Sequence, residues 1–185
     1  MTLEEAAGLM LGALNAAGVP HMLVGGFTAN FYGIPRATKD VDIVIHLAEG
    51  KDLASIEAVL GREFIFDPQS TFETFTGNIR HIVRLRASPF VMELFELGDD
   101  PFQQERFKHR KSLFVPQIGQ QVFLPTAEDV VVQKIRWGRP KDLDDAKDVM
   151  AVQGDAIDYL YIETWCAHHG TLDRLNAVRS EIPPI

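Results

Sequence analysis

Apolar positions change their period along the chain. Leu3, Ala6, Met10, Ala13, Leu14 and Ala17 recur at helical spacing behind a Thr2–Glu5 capping box, and Gly18 ends that run. "HMLV" is then a short apolar stretch that reads as a buried strand running into Gly25-Gly26, and "FTANFYG" reads as a short helix stopped by Gly33 and Pro35. "VDIVIHL" is rich in β-branched residues and predicts a strand, whereas "KDLASIEAVLG" places Leu53, Ile56 and Leu60 on one helical face. "REFIF", "NIRHIVRLR" and "PFVMELFEL" return to strand character, with Pro68, Gly77 and Pro89 between them.

After residue 100 the pattern turns helical again. Asp100 and Pro101 open a helix over "DPFQQERFKH", and "LFVPQIGQQVFL" predicts a hairpin or irregular segment around Gly119. "TAEDVVVQKIRWG" begins with a T-x-x-D cap and ends at Gly138; "KDLDDAKDVMAV", "DAIDYLYIETWCAHHG" and "TLDRLNAVRS" continue as helices. Helix, mixed strands and helices, then helices alone describe an α+β fold. The expected division is an α/β core over 1–125 with a helical part over 126–185 packed on it as a single compact domain.

Within "VDIVIHL" the apolar set Val41, Ile43 and Ile45 must face the core, which turns Asp40, Asp42, Val44 and His46 to the other side. Two strand residues separate the aspartates by about 6.5 Å, so their carboxylates can converge. Like charges so placed repel unless something positive lies between them, and a hard divalent cation such as magnesium takes carboxylate oxygens. Glu93 supplies a third carboxylate, mid-strand between Met92 and Leu94; antiparallel pairing of its strand with the Asp40–His46 strand would bring it beside Asp42. Glu96, on the opposite face, ranks below it.

The glycine pair suits a turn in which backbone N–H groups approach a phosphate, or simply a tight turn; Thr28 either offers a hydroxyl there or caps the following helix. Arg36 and Lys39 either hold phosphate or close a salt bridge. Lys134, in "VVVQKIRWG", either snorkels at the helix margin or reaches inward as a point-charge clamp. Asp142 and Asp145 share a helix face, where Asp142 caps and Asp145 orients Lys134 or Arg139.

Composition narrows the setting. With 185 residues, 46% apolar, the chain is sized for one core, and no run of eighteen apolar residues suggests a membrane span. The single Cys166 excludes an internal disulfide and any cysteine-based zinc framework, and with an N-terminus lacking a signal-peptide shape it predicts a cytoplasmic protein. A net charge of −8 means that a nucleic-acid partner would need a local basic patch. Three basic clusters exist: Arg80, Arg84 and Arg86; Arg106, Lys108, Arg110 and Lys111; and Lys134, Arg136, Arg139 and Lys141.

Gly25-Gly26, thirteen residues, Asp40-Val41-Asp42 and a later Glu93 together resemble the nucleotidyltransferase superfamily of the DNA polymerase β type. Tyr32, Gly33, Arg36, Thr38, Asp40 and Asp42 are similar to the "Y-G-x-x-R-x-T-x-D-h-D" of its abortive-infection, type IV toxin branch. Lys134, Arg139, Lys141, Asp142 and Asp145 are similar to that branch's later "K…R-x-K-D-x-x-D". The resemblance implies a mixed sheet flanked by helices and transfer of NMP from an NTP to a hydroxyl of tRNA, protein or a small molecule. It implies two Mg2+ ions (or Mn2+) on Asp40, Asp42 and Glu93. Gly25, Gly26, Thr28, Arg36, Lys134 and Asp145 would serve the nucleotide, and an antitoxin partner is implied by the same branch. The chain departs from the family where Gly26 replaces the frequent serine and where the third acid is glutamate. A catalytically inactive nucleotide- or partner-binding protein on the same fold is the alternative.

Overall fold

The structure is a computed structural model that describes residues 1–47, 53–73, 77–86 and 88–182. Its elements run α1 (Leu3–Ala16), β1 (His21–Val24), α2 (Gly26–Tyr32), β2 (Asp40–Ile45), α3 (Leu53–Glu57), β3 (Phe64–Phe66), β4 (Thr71–Phe72), β5 (Ile79–Leu85) and β6 (Val91–Glu96). They continue as α4 (Pro101–Lys108), β7 (Lys111–Val115), β8 (Gln120–Leu124), α5 (Ala127–Trp137), α6 (Pro140–Gln153), α7 (Tyr159–His168) and α8 (Leu172–Ser180), with one 3-10 turn at Gly154–Ala156. The helix read over 51–61 is shorter than expected, and its first two residues lie outside the described residues.

Backbone contacts divide the chain into two compact units, Met1–Phe27 with Ala37–Leu124, and Thr28–Arg36 with Pro125–Ile185. The units part from the expected division at two places: Thr28–Arg36 groups with the C-terminal helices, and Pro125 falls on their side of the boundary.

The first unit is built on a mixed sheet in the order β1-β2-β6-β5-β3, with β4 also pairing β5; β7 and β8 form a separate hairpin. Among the described residues, β2 and β6 are the one parallel pair. One sheet face is the core: Val41, Ile43, Ile45, Met92, Leu94 and Val83 are fully buried, together with Met10, Leu11 and Leu14 of α1. Burying a side chain of this size contributes roughly 1.5–3 kcal/mol, so alternation in these strands decides which face turns inward. Thr2 and Glu5 form the expected capping box of α1.

The second unit is helical. Thr126 and Asp129 form the predicted box at the start of α5, and Asp129, fully buried, also accepts 2.7 Å from the Tyr161 hydroxyl. Gly138 ends α5 in the left-handed region. Among the described residues no helix is long and apolar enough to cross a membrane.

Candidate active site

On the face opposite the core, side chains of the first unit fall into rows set by strand register. Asp42 lies beside Glu93 on β6 and beside Val24 on β1; Asp40 lies beside Val91. The predicted neighbour relation of Asp42 and Glu93 is present, but the strands pair in parallel, not antiparallel. Alternation is the same in either direction; β5 runs opposite to β2, and the β5–β6 hairpin then turns the chain back into β2's own sense on β6. Farther along the same face, Val44 and Phe95 pack with Met22, Val24 and Phe107 of α4, which covers that end. The carboxylate end is left open: Asp40 is exposed, Asp42 and Glu93 half-buried.

The glycine turn is fitted to this row. Gly25 has φ +69°, and a Cβ built on it would fall onto the Asp42 carboxylate. Two requirements therefore coincide: a backbone conformation that suits glycine and space for a functional side chain. Gly25→Ala should cost about 1–3 kcal/mol from backbone strain alone. It should also displace Asp42, so thermal denaturation and any Asp42-dependent activity fall together. A Cβ on Gly26 would stand 2.9 Å from Thr38 Oγ1. The departure from Gly-Ser thus has a local reason: Thr38, whose hydroxyl bonds the Asp40 carbonyl oxygen at 3.3 Å, fills the space a serine would enter. Thr38 matched the sequence motif without a role, and only the fold puts it against Gly26.

Glu93 has the cationic partner its position demanded. Arg80 Nη1 donates to both carboxylate oxygens at 3.4 and 3.3 Å, while its Nε donates to Thr71 Oγ1 at 2.9 Å. The alternation of "NIRHIVRLR" puts Arg80 and Arg84 on the carboxylate face, a signal present in the sequence and missed as part of the site. Glu96 points away and bonds His81 at 2.6 Å.

Among the described residues no three His, Cys, Asp or Glu side chains are gathered as a preformed metal cluster. The donor chemistry nonetheless fits magnesium: three carboxylates on one open face supply hard oxygens. Magnesium keeps much of its water and typically takes only one or two carboxylates. Asp40 and Asp42 supply two such carboxylates, and Glu93, paired with Arg80, lies beside Asp42 on the next strand.

In the helical unit, Lys134 is 4% exposed and its ammonium lies 3.1 Å from Asp142 and 2.8 Å from Asp145. Arg36 grips Asp145 from the other side, Nε at 2.6 Å and Nη2 at 2.8 Å, and Arg139 holds Asp142. Of its alternative roles, then, Lys134 reaches inward, and Arg36 closes a salt bridge. Asp145 does meet Lys134; Asp142 pairs with cations and does not cap α6, whose N-cap is Arg139. Burial alone would raise the Asp145 pKa, but hydrogen bonds from Arg36 and Lys134, with their charges, hold it below the ordinary carboxylate value. The chain Arg36–Asp145–Lys134–Asp142–Arg139 ties residues 28–36 to α5 and α6. Thr28 is buried in this unit. Tyr32 donates to the Pro125 carbonyl at 2.8 Å, and burial, then the charges of Glu128 and Asp129, push its pKa up to about 12. Gly33 is small because a Cβ would come within 3.0 Å of the Val149 backbone.

No family model and no curated protein matches the sequence. Solved structures do match. The antibiotic-resistance factor ANT(2")-Ia, in complex with adenylyl-2"-tobramycin, aligns with a TM-score of 0.59 at 12% identity, over 92% of this chain and 98% of its own. An antigenic nucleotidyltransferase-like protein from Paracoccidioides brasiliensis aligns with a TM-score of 0.52 at 18% identity, over 98% and 94%. The chain therefore has the α+β fold of the nucleotidyltransferases, with a mixed sheet flanked by helices.

Proposed function

We propose that this chain is a metal-dependent nucleotidyltransferase that moves NMP from an NTP to a hydroxyl acceptor. The observation that carries the reading is the open row of Asp40, Asp42 and Glu93 on adjacent parallel strands, with the left-handed Gly25 cleared around Asp42. Asp40, Asp42 and Glu93 would hold two magnesium ions, which supply charge neutralisation and acidify the acceptor hydroxyl. The turn at Gly25-Gly26 offers backbone N–H groups to the outgoing phosphates. The acceptor oxygen forms a bond to the α-phosphorus while the bond to the pyrophosphate oxygen breaks; the hydroxyl proton passes to the Glu93 carboxylate, and pyrophosphate leaves. Arg36, Lys134 and Asp145 act in this proposal as the scaffold of residues 28–36, because their charges are engaged with one another.

The Arg80–Glu93 pair favours a second reading, a nucleotide-binding protein without turnover, since it neutralises the third acid with an arginine. Incubation with each α-labelled NTP, a cell extract and magnesium separates the two. Transfer of label that is abolished by EDTA and restored by magnesium is the expected result. NTP binding with no transfer and no pyrophosphate release would establish the second reading instead.

A further inference from the structure

The proposed reaction divides the carboxylate face into two sides. The glycine turn follows β1 on one side of Asp42; β6, β5 and β3 extend on the other. In an in-line displacement the attacking and leaving oxygens stand on opposite sides of the phosphorus, so pyrophosphate at the glycine side places the acceptor over β5 and β3. This step rests on the proposed function.

That side of the face has a definite chemistry. Arg84 lies beside Val91 and Ile65, Ile82 beside Glu93, and Arg80 beside Phe95 and Thr71. Arg84 is exposed, and among the described residues its guanidinium makes no ion pair or hydrogen bond. Arg86 continues the same alternation, also exposed, with Nε 3.5 Å from the Arg62 carbonyl oxygen. Ile65 is 41% exposed beside Arg84, an apolar surface next to a cation. Asp67 follows on β3's own strand line, but its Oδ1 turns back to accept from the Gln69 amide at 3.0 Å. In a chain of net charge −8, this concentration of arginine at one edge of the carboxylate row stands against the background.

We infer that the acceptor carries phosphate: Arg84, with Arg86, binds a phosphate of the acceptor while Ile65 and Ile82 lie under its uncharged part. A polycationic acceptor such as an aminoglycoside is disfavoured by the same two arginines. The shared chemistry is a phosphate near the reacting hydroxyl, whether on a nucleic-acid strand or on a phosphorylated small molecule.

Four probes test this: a short single-stranded oligoribonucleotide, a hexose 6-phosphate, the unphosphorylated hexose, and tobramycin. Binding is measured without NTP over a series of salt concentrations, and transfer with α-labelled NTP and magnesium. Expected are binding and labelling of at least one phosphate-bearing probe and neither of the others. Arg84→Ala should weaken that binding about five- to tenfold, and with the oligoribonucleotide lower the salt slope by roughly one, leaving the KM for NTP unchanged. Arg84→Lys should recover part of the loss, and circular dichroism should be the same for all three proteins. Labelling of tobramycin or the plain hexose would overturn the inference while upholding nucleotidyl transfer. Arg84-dependent binding without any transfer would uphold the inference and remove the proposed reaction. Absence of binding by both phosphate-bearing probes, or binding indifferent to Arg84→Ala, would overturn it outright.

Discussion

Asp42→Asn should lower nucleotidyl transfer by about a thousandfold or more while leaving the protein as stable as before or slightly more so. The asparagine keeps an acceptor oxygen of the same size beside Gly25, so the close fit there persists. What it loses is the charge. Asp42 stands directly beside Glu93 and two residues from Asp40, and like charges across neighbouring strands destabilise by roughly 0.2–1 kcal/mol. A carboxylate kept for structure would behave in the opposite way, its removal lowering stability. A loss of about 4 kcal/mol of transition-state stabilisation corresponds to that thousandfold in rate. The measurement is a pair: Tm by calorimetry and rate of label transfer. A fall of several degrees in Tm with transfer largely retained would refute the functional assignment of this row. The same pair on Glu93→Gln separates its two partners, because that variant also strips Arg80 of its counter-charge and should cost stability that Asp42→Asn does not.

This row was the legible part of the molecule, for a physical reason. Val41, Ile43 and Ile45 leave no choice of face, and Met92 with Leu94 fixes Glu93 in the same way, so period-two alternation alone assembles the carboxylates. Strand direction was not legible, because alternation is blind to it. The charge network of the helical unit was legible only in part. Helical spacing puts Asp142 and Asp145 on one face, yet the arginine that completes the site lies 109 residues earlier in the chain. No local pattern announces a pairing of that range. The same limit hid the grouping of residues 28–36 with the C-terminal helices. Thr38 shows a third kind of limit: the sequence shows a missing serine at position 26, and only the packed structure shows what occupies its space.

The largest effect on stability should come from Lys134→Met. Methionine matches the length of the lysine stem and removes only the charge and its donors. Asp142, fully buried, and Asp145, nearly so, each then retain a single arginine, and those arginines are partly solvated: the Arg36 and Arg139 side chains are 38% and 51% exposed. Removing one partner of a buried ion pair typically costs about 3–5 kcal/mol. The surviving arginines place this case near the lower end, about 3 kcal/mol, or a drop in Tm of roughly 6–12 °C for a chain of this size. The pH dependence carries a separate signature. Because the folded Asp145 pKa lies below its unfolded value, ionised Asp145 contributes stability that is fully present above the ordinary carboxylate pKa. That contribution is lost as pH falls through the lowered one. In Lys134→Met one cause of the lowering is gone and burial still pushes upward, so acid destabilisation should begin at higher pH than in the wild type. Adding Asp142→Asn removes an anion that the substitution left short of a partner and should restore part of the loss. Chemical denaturation of the three proteins at neutral pH and near pH 4 measures all of this. A change below 1 kcal/mol with an unshifted acid limb would mean that Lys134 is not committed to the two aspartates.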